Sequence, residues 1–315
     1  MKKDFEYFYK NLKKNKLEEI WNDIQQNKRK KFFIILGICI VLDFLILAIV
    51  PTVLDTYDLD NESILTIVLL MILSCDVFVA ITFVAFRNIN KNVEYRKSYK
   101  EDIVKEMITS FFDSVAYMPE KGMIESEYIK VNPSEPYNDY SSDDYTEGLI
   151  DEKYPIKFAD IRTSWKGSDD NFMSDGRPVF EGIFAKIDLD FYINIVLTLK
   201  CSLYPIKRLH TDDDEFNFYY QIECCDKSKS LQYLTHDVME KLINLRKRVP
   251  REYEIMIAKD SIYIKLNASN AFEAVIINQG SINKRVAKYH FMTLQYLYDI
   301  SKEIIKITEE QSRYL

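Results

Sequence analysis

FFIILGICIVLDFLILAIVPTVL, residues 32–54, and ILTIVLLMILSCDVFVAITFVAF, residues 64–86, are two apolar runs with one charged residue each, Asp43 and Asp76. A hydrocarbon core of ~30 Å is crossed by about 20 apolar helical residues, so both runs read as transmembrane helices. The turn between them, 55–63, carries Asp55, Asp58, Asp60 and Glu62 and no Lys or Arg. Lys28, Arg29, Lys30 and Lys31 precede the first arm, and Arg87, Lys91, Arg96, Lys97 and Lys100 follow the second. The positive-inside bias then places both termini and the long C-terminal region in the cytoplasm, with the acidic turn outside. The first arm starts only after Lys31 and has no small-x-small cleavage site, which favours a retained span over a signal peptide.

Working outward from the hairpin, residues 1–31 lack Gly and Pro and repeat Phe5, Phe8, Leu12, Leu17, Ile20, Trp21 and Ile24 at roughly helical spacing. This is the pattern of an amphipathic helix, lying in the interface or standing as a stalk against a partner helix. From 64 to 118 there is again no Gly or Pro, so the second arm can continue as a helical extension, 87–118, until Pro119 ends it. Ile103, Met107, Ile108, Phe111, Phe112 and Val115 give that extension an apolar stripe, and an antiparallel helical stalk is the economical reading.

Residues 119–315 are expected to form a cytoplasmic α+β domain with a mainly antiparallel sheet and two or more helices. Strands are predicted over 122–130, 154–162, 179–188, 192–203 and 216–223, a hairpin over 252–258 and 261–266 across Lys259-Asp260, and a further strand over 271–278. Helices are predicted over 235–248, with Thr235 as cap and Pro250 beyond its end, and over 288–310. The stretch 132–152 has seven carboxylates and no Lys or Arg, with Pro133, Pro136 and Gly148, and reads as an acidic loop or hairpin excursion. Asp139, Asp143, Asp144 and Glu147 are its candidate cation or partner ligands, against the plainer reading of a solvated loop. An EF-hand frame built on Gly148 or Gly176 would put Tyr145 or Met173 where an oxygen ligand is required, so neither frame works.

Asp43 lies eleven residues from the start of its arm and Asp76 ten from the end of its own, both ~15 Å deep at ~1.5 Å per residue. An ionised carboxylate at that depth costs at least ~2.5–3.5 kcal/mol, so the two face partners or share a proton. Interhelical hydrogen-bond glue, within a chain or a homo-oligomer, is favoured over a proton or cation path, because two spans line a pathway only if subunits assemble.

No nucleophile elbow, HExxH or P-loop signature occurs, and seven glycines leave little for a phosphate cradle. His210, His236 and His290 are the only histidines. Cys201, His210, Cys224 and Cys225 do not make a zinc set, since adjacent cysteines on a strand point to opposite faces. Five cysteines without CxxC spacing suit a reducing compartment. A net charge of −7 argues against general nucleic-acid binding. No catalytic, cofactor-binding or metal-ligating residue is assigned from sequence.

The segments VFEGIF (179–184), YSSDDYTEG (140–148), 216–220, Leu234-Thr235 and MEKLINL (239–245) resemble a family of bacterial membrane proteins. In that family two N-terminal transmembrane segments precede a shared domain of unknown function, and some members carry the label galanin-like. The resemblance implies a bacterial inner membrane and a two-span topology, and brings no activity or site residues. The expected role is a membrane-anchored, non-enzymatic protein whose cytoplasmic domain binds a protein partner or ligand. The alternative is an oligomeric transport or stress-response component using Asp43 and Asp76.

Overall fold

The computed structural model describes residues 4–12, 93–131, 136–167, 177–201, 209–274 and 282–314, with single helical positions between 18 and 41. The chain divides into two compact units, Met1–Leu12 with Lys97–Val275 and Asn283–Leu315, and Lys13–Arg96 with Ile276–Ile282. In the second unit Phe33, Leu36, Gly37, Ile40 and Val41 are helical and exposed. The rest of both apolar arms, Asp43 and Asp76 included, and the acidic turn 55–63 lie outside the described residues. Among the described residues no helix is long and apolar enough to cross a membrane.

The first unit is α+β. Its elements in chain order are α1 (Phe5–Asn11), α2 (93–109, belonging to this unit from Lys97), β1 (Asp113–Met118), α3 (Glu125–Ile129), β2 (Asp139–Ile150), β3 (Tyr154–Trp165) and β4 (Arg177–Cys201). Then come α4 (Asp214–Tyr219), β5 (Tyr220–Cys224), α5 (Lys227–Tyr233), α6 (His236–Arg248), β6 (Tyr253–Asn267) and α7 (Lys284–Gln311). All strand pairs are antiparallel, in the order β1-β2-β3-β4-β5, with β6 also paired to β4.

The register of β6 carries the topology. A straight strand of that length would hold its ends about 50 Å apart at ~3.3 Å per residue. Instead the Asn267 amide donates to the Glu252 carbonyl at 3.1 Å, and Lys265 Nζ lies 3.5 Å from Glu254. β6 therefore doubles back at Lys259, whose φ is +57°, and exposed Asp260, the hairpin expected across those two residues. Its returning arm pairs with 182–188 and its outgoing arm with 196–201, so the hairpin sits between two halves of β4, which bends around its tip. The two strands expected at 179–188 and 192–203 are thus one irregular element. Gly182 serves this pairing, because a Cβ there would stand 2.1 Å from the Leu266 carbonyl oxygen.

One sheet face is covered by helices. Phe158, Ile183, Ile187, Ile255, Ile257, Ile262 and Ile264 are buried beneath Leu242 and Leu245 of α6 and Leu294, Leu297 and Ile304 of α7. On the other face α3 and its flanks build a smaller cluster, in which Tyr128 packs against Phe180 and Phe184. The predicted helices at 235–248 and 288–310 are present as α6 and α7. The Thr235 hydroxyl accepts from the Val238 amide, as its cap position requires.

Other expectations need correction. The N-terminal helix does not run unbroken through 1–31: it stops at Asn11, where Leu12 turns extended and buries its own side chain. The helical extension ends at Thr109 rather than at 118, since Ser114 has φ +50° and Asp113–Met118 pairs with β2. Nor is the extension from Lys97 a free stalk, because Ile103, Val104, Met107 and Ile108 are fully buried in the domain. Phe5 and Phe8 of α1 and Phe111 beyond α2 all meet Phe291 of α7, at ring separations of 5.6, 5.2 and 4.9 Å. The 122–130 segment holds helix α3 in place of a strand, because Tyr128 is drawn into the outer cluster. Within 216–223 the Asp213 side chain caps a helical turn first, accepting from the Phe216 amide, and only Tyr220–Cys224 is strand. Residues 271–274 are not strand, and 275–278 lie outside the described residues. The acidic stretch 132–152, expected as a loop or hairpin excursion, supplies strand β2 from Asp139 to Ile150, which pairs antiparallel with β3.

Candidate functional site

Asp143 and Asp160 are direct cross-strand partners of β2 and β3, on the sheet face toward α2. After Asp143 the β2 register shifts, and Asp144 takes φ +57°. Such a bulge re-aims a side chain, so two consecutive carboxylates can point the same way. Lys100 comes down on them from α2, at the π-helical turn Tyr99–Val104. Its Nζ lies 2.7 Å from Asp144, 3.2 Å from Asp143 and 2.9 Å from Glu273. Asp144 is fully buried and also accepts a hydrogen bond from the Tyr117 hydroxyl of β1. One carboxylate oxygen from each of Asp143, Asp144 and Asp160 lies within 4.8 Å of the others.

One ammonium thus pairs with three carboxylates, Asp143, Asp144 and Glu273, and Asp160 adds a fourth carboxyl group beside the two aspartates. Burial pushes the Asp160 carboxyl up to about 8, helped by Asp143 and Asp144, so it holds a proton at neutral pH. Burial also raises Asp144, to about 6, against the pull of Lys100. Burial alone would lower Lys100, but Asp144, Glu273 and Asp143 outweigh it and keep the ammonium charged. Desolvation and the adjacent Asp144 drive the Tyr117 phenol up, leaving it a donor. The spacing of the three aspartates is that of a cation-ligand set, but any added cation would compete with Lys100 for the same oxygens. The arrangement is an internal ion-pair network that ties α2, from Lys97 onward, to the sheet.

Of the sequence candidates, Asp143 and Asp144 meet here and Asp139 and Glu147 do not. Asp139 binds Lys166 at 3.0 Å and the Ser164 hydroxyl, which hold its carboxyl below the usual range. Glu147 accepts from the Tyr145 hydroxyl at 2.8 Å. Lys100, Tyr117, Asp160 and Glu273 were not found from sequence. Two carried a signal: Lys100 lies on the same helical face as Ile103, Val104 and Met107, and Asp160 on the inward phase of Tyr154, Ile156 and Phe158.

Beside this cluster His290 of α7 is buried, its Nδ1 3.0 Å from the Tyr99 hydroxyl, and burial pushes its imidazole down to about 4. It is a neutral tie between α7 and α2. Cys201 is buried, its thiol raised to about 11 by burial, while Cys225 is exposed.

Comparison with known proteins finds a family match over part of the chain. A DUF3137 domain, of unknown function, covers residues 179–306. The DUF3137 match takes in β4 to most of α7 and, of the ion-pair network, only Glu273. It also takes in the segments 179–184, 216–220, 234–235 and 239–245 that resemble the bacterial family, and it starts well after the apolar arms. No curated protein matches the sequence. Among solved structures, the crystal structure of the mycobacterial trehalose monomycolate transport factor A, TtfA, is similar at 8% identity, over 66% of this chain and 97% of that one, with a TM-score of 0.37. A likeness that loose carries no argument about this chain.

Proposed function

We propose that this is a membrane-anchored, non-enzymatic protein of the bacterial inner membrane, whose cytoplasmic α+β domain binds a partner or ligand. The observation that carries the reading is the row Leu36, Gly37, Ile40 and Val41, helical positions at i, i+1, i+4 and i+5. Ile40 is 48% exposed and Val41 59%. An apolar helical stripe left in water is costly, and a bilayer or a second apolar helix relieves it.

The test is fractionation of the full chain. It should stay in the membrane pellet through an alkaline carbonate wash, and Leu36→Lys with Ile40→Lys should release it while the domain keeps its fold by circular dichroism. Release of the unaltered chain by the wash would refute the anchor.

A further inference from the structure

On the sheet face opposite α6 and α7, at the ends of β4 and β6, lies a cleft of about 120 Å³ lined by Tyr128, Phe180, Lys200, Glu254, Lys265 and Asn267. Lys265 is 5% exposed. Its Nζ has Glu254 at 3.5 Å and sits 5.4 Å from the centre of the Tyr128 ring. An ammonium has three N–H donors, and one long contact to a carboxylate leaves most of that capacity facing the cleft. Tyr128 is wholly buried, with its hydroxyl beside that of Thr163. Burial lowers the Lys265 ammonium below its ordinary value despite the opposing charge of Glu254. A desolvated lysine next to a proton acceptor, opening onto a small cavity, has the requirements of a nucleophilic amine.

We propose that Lys265 is such an amine and that the cleft takes a small aldehyde or ketone, captured as an imine. Glu254 accepts a proton from the ammonium. The freed lone pair forms a C–N bond to the carbonyl carbon, and the carbonyl oxygen is protonated to a carbinolamine. Loss of that oxygen as water then gives the C=N bond. Amine and carbonyl compound become imine and water, with no oxidant or reductant involved. The small volume of the cleft favours a compact ligand. Tyr128 and Phe180 provide an apolar wall for its carbon skeleton. This goes beyond the anchored binding role and is independent of the membrane arms.

The experiment is reductive trapping on the detergent-solubilised full chain, with glyoxylate and cyanoborohydride at pH 7, read by peptide mass spectrometry. Lys265 should gain the adduct faster than the exposed Lys227 and Lys259, because burial lowers its ammonium and leaves more of it as neutral amine. Lys265→Arg should abolish that adduct and leave modification of Lys259 unchanged. A rate at Lys265 no greater than at Lys259 would overturn the proposal. So would an adduct that forms only in partly denaturing urea, the behaviour of a buried structural ion pair.

Discussion

At the scale of single residues, Lys100 and Asp160 are opposed in sign. Lys100 is the counter-charge for a fully buried Asp144, so Lys100→Met strands that carboxylate and should cost about 3–5 kcal/mol at pH 7 in urea unfolding. Adding Asp144→Asn to Lys100→Met should recover part of the loss, because the stranded charge is then gone; no recovery would mean that Lys100 acts through packing alone. Asp160 behaves in the other direction. Its carboxyl is raised in the fold, to about 8 from an ordinary 3.8, so its contribution to stability is complete below about pH 4 and lost as pH rises to about 8. Asp144, raised to about 6, adds to the same loss over the lower part of that range. Asp160→Asn should therefore flatten the fall of stability between pH 4 and 8 and leave the protein more stable at pH 8, by an amount on the order of a few kcal/mol. Denaturant midpoints measured at pH 5 and pH 8 check this, and an unchanged slope would place the titration elsewhere.

At the scale of elements, the sheet depends on a close approach that only glycine allows. Gly182→Ala would drive a Cβ to 2.1 Å from the Leu266 oxygen and 2.7 Å from the Ala268 nitrogen, both backbone atoms that cannot move without parting β4 from β6. A loss of about 3 kcal/mol or more is expected, with hydrogen-exchange protection falling first at 264–268. Phe291→Ala removes the ring shared by Phe5, Phe8 and Phe111, and should release α1 to proteolysis at lower urea than the sheet. How much of this was legible varies with the physics involved. The helices α6 and α7 and the β6 hairpin were readable because cap, periodicity and turn are local. The acidic run 132–152 was legible only as a loop or hairpin excursion, because the cations that pair with it, among them Lys100, Lys166 and Lys302, lie elsewhere in the chain and no local pattern links them to it. The same holds for Asp113–Met118, whose strand state is set by pairing with β2 against a helix-compatible sequence. Asp143 was legible as an acid, but its role as half of a bulged pair facing a buried lysine was not.

At the scale of the whole molecule, the charges on either side of the two apolar runs bear on which side of a membrane the domain lies. Nine Lys and Arg residues flank the outer ends of the arms at 28–31 and 87–100, against four carboxylates and no Lys or Arg in 55–63. If the runs span as a hairpin, moving the basic flanks outward would oppose the positive-inside bias, so 55–63 should be the exposed loop. Cysteine accessibility tests both parts. In a chain stripped of its other cysteines, Ser63→Cys should react with a membrane-impermeant maleimide in intact cells. A second chain keeping only Cys225, which is exposed on the domain surface, should react only after permeabilisation. Labelling of Cys225 in intact cells would invert the orientation, and protection of both positions until permeabilisation would remove the two-span reading. The expected pattern would also fix where a ligand of the Lys265 cleft has to come from, since the domain would then sample only the solutes of the cytoplasm.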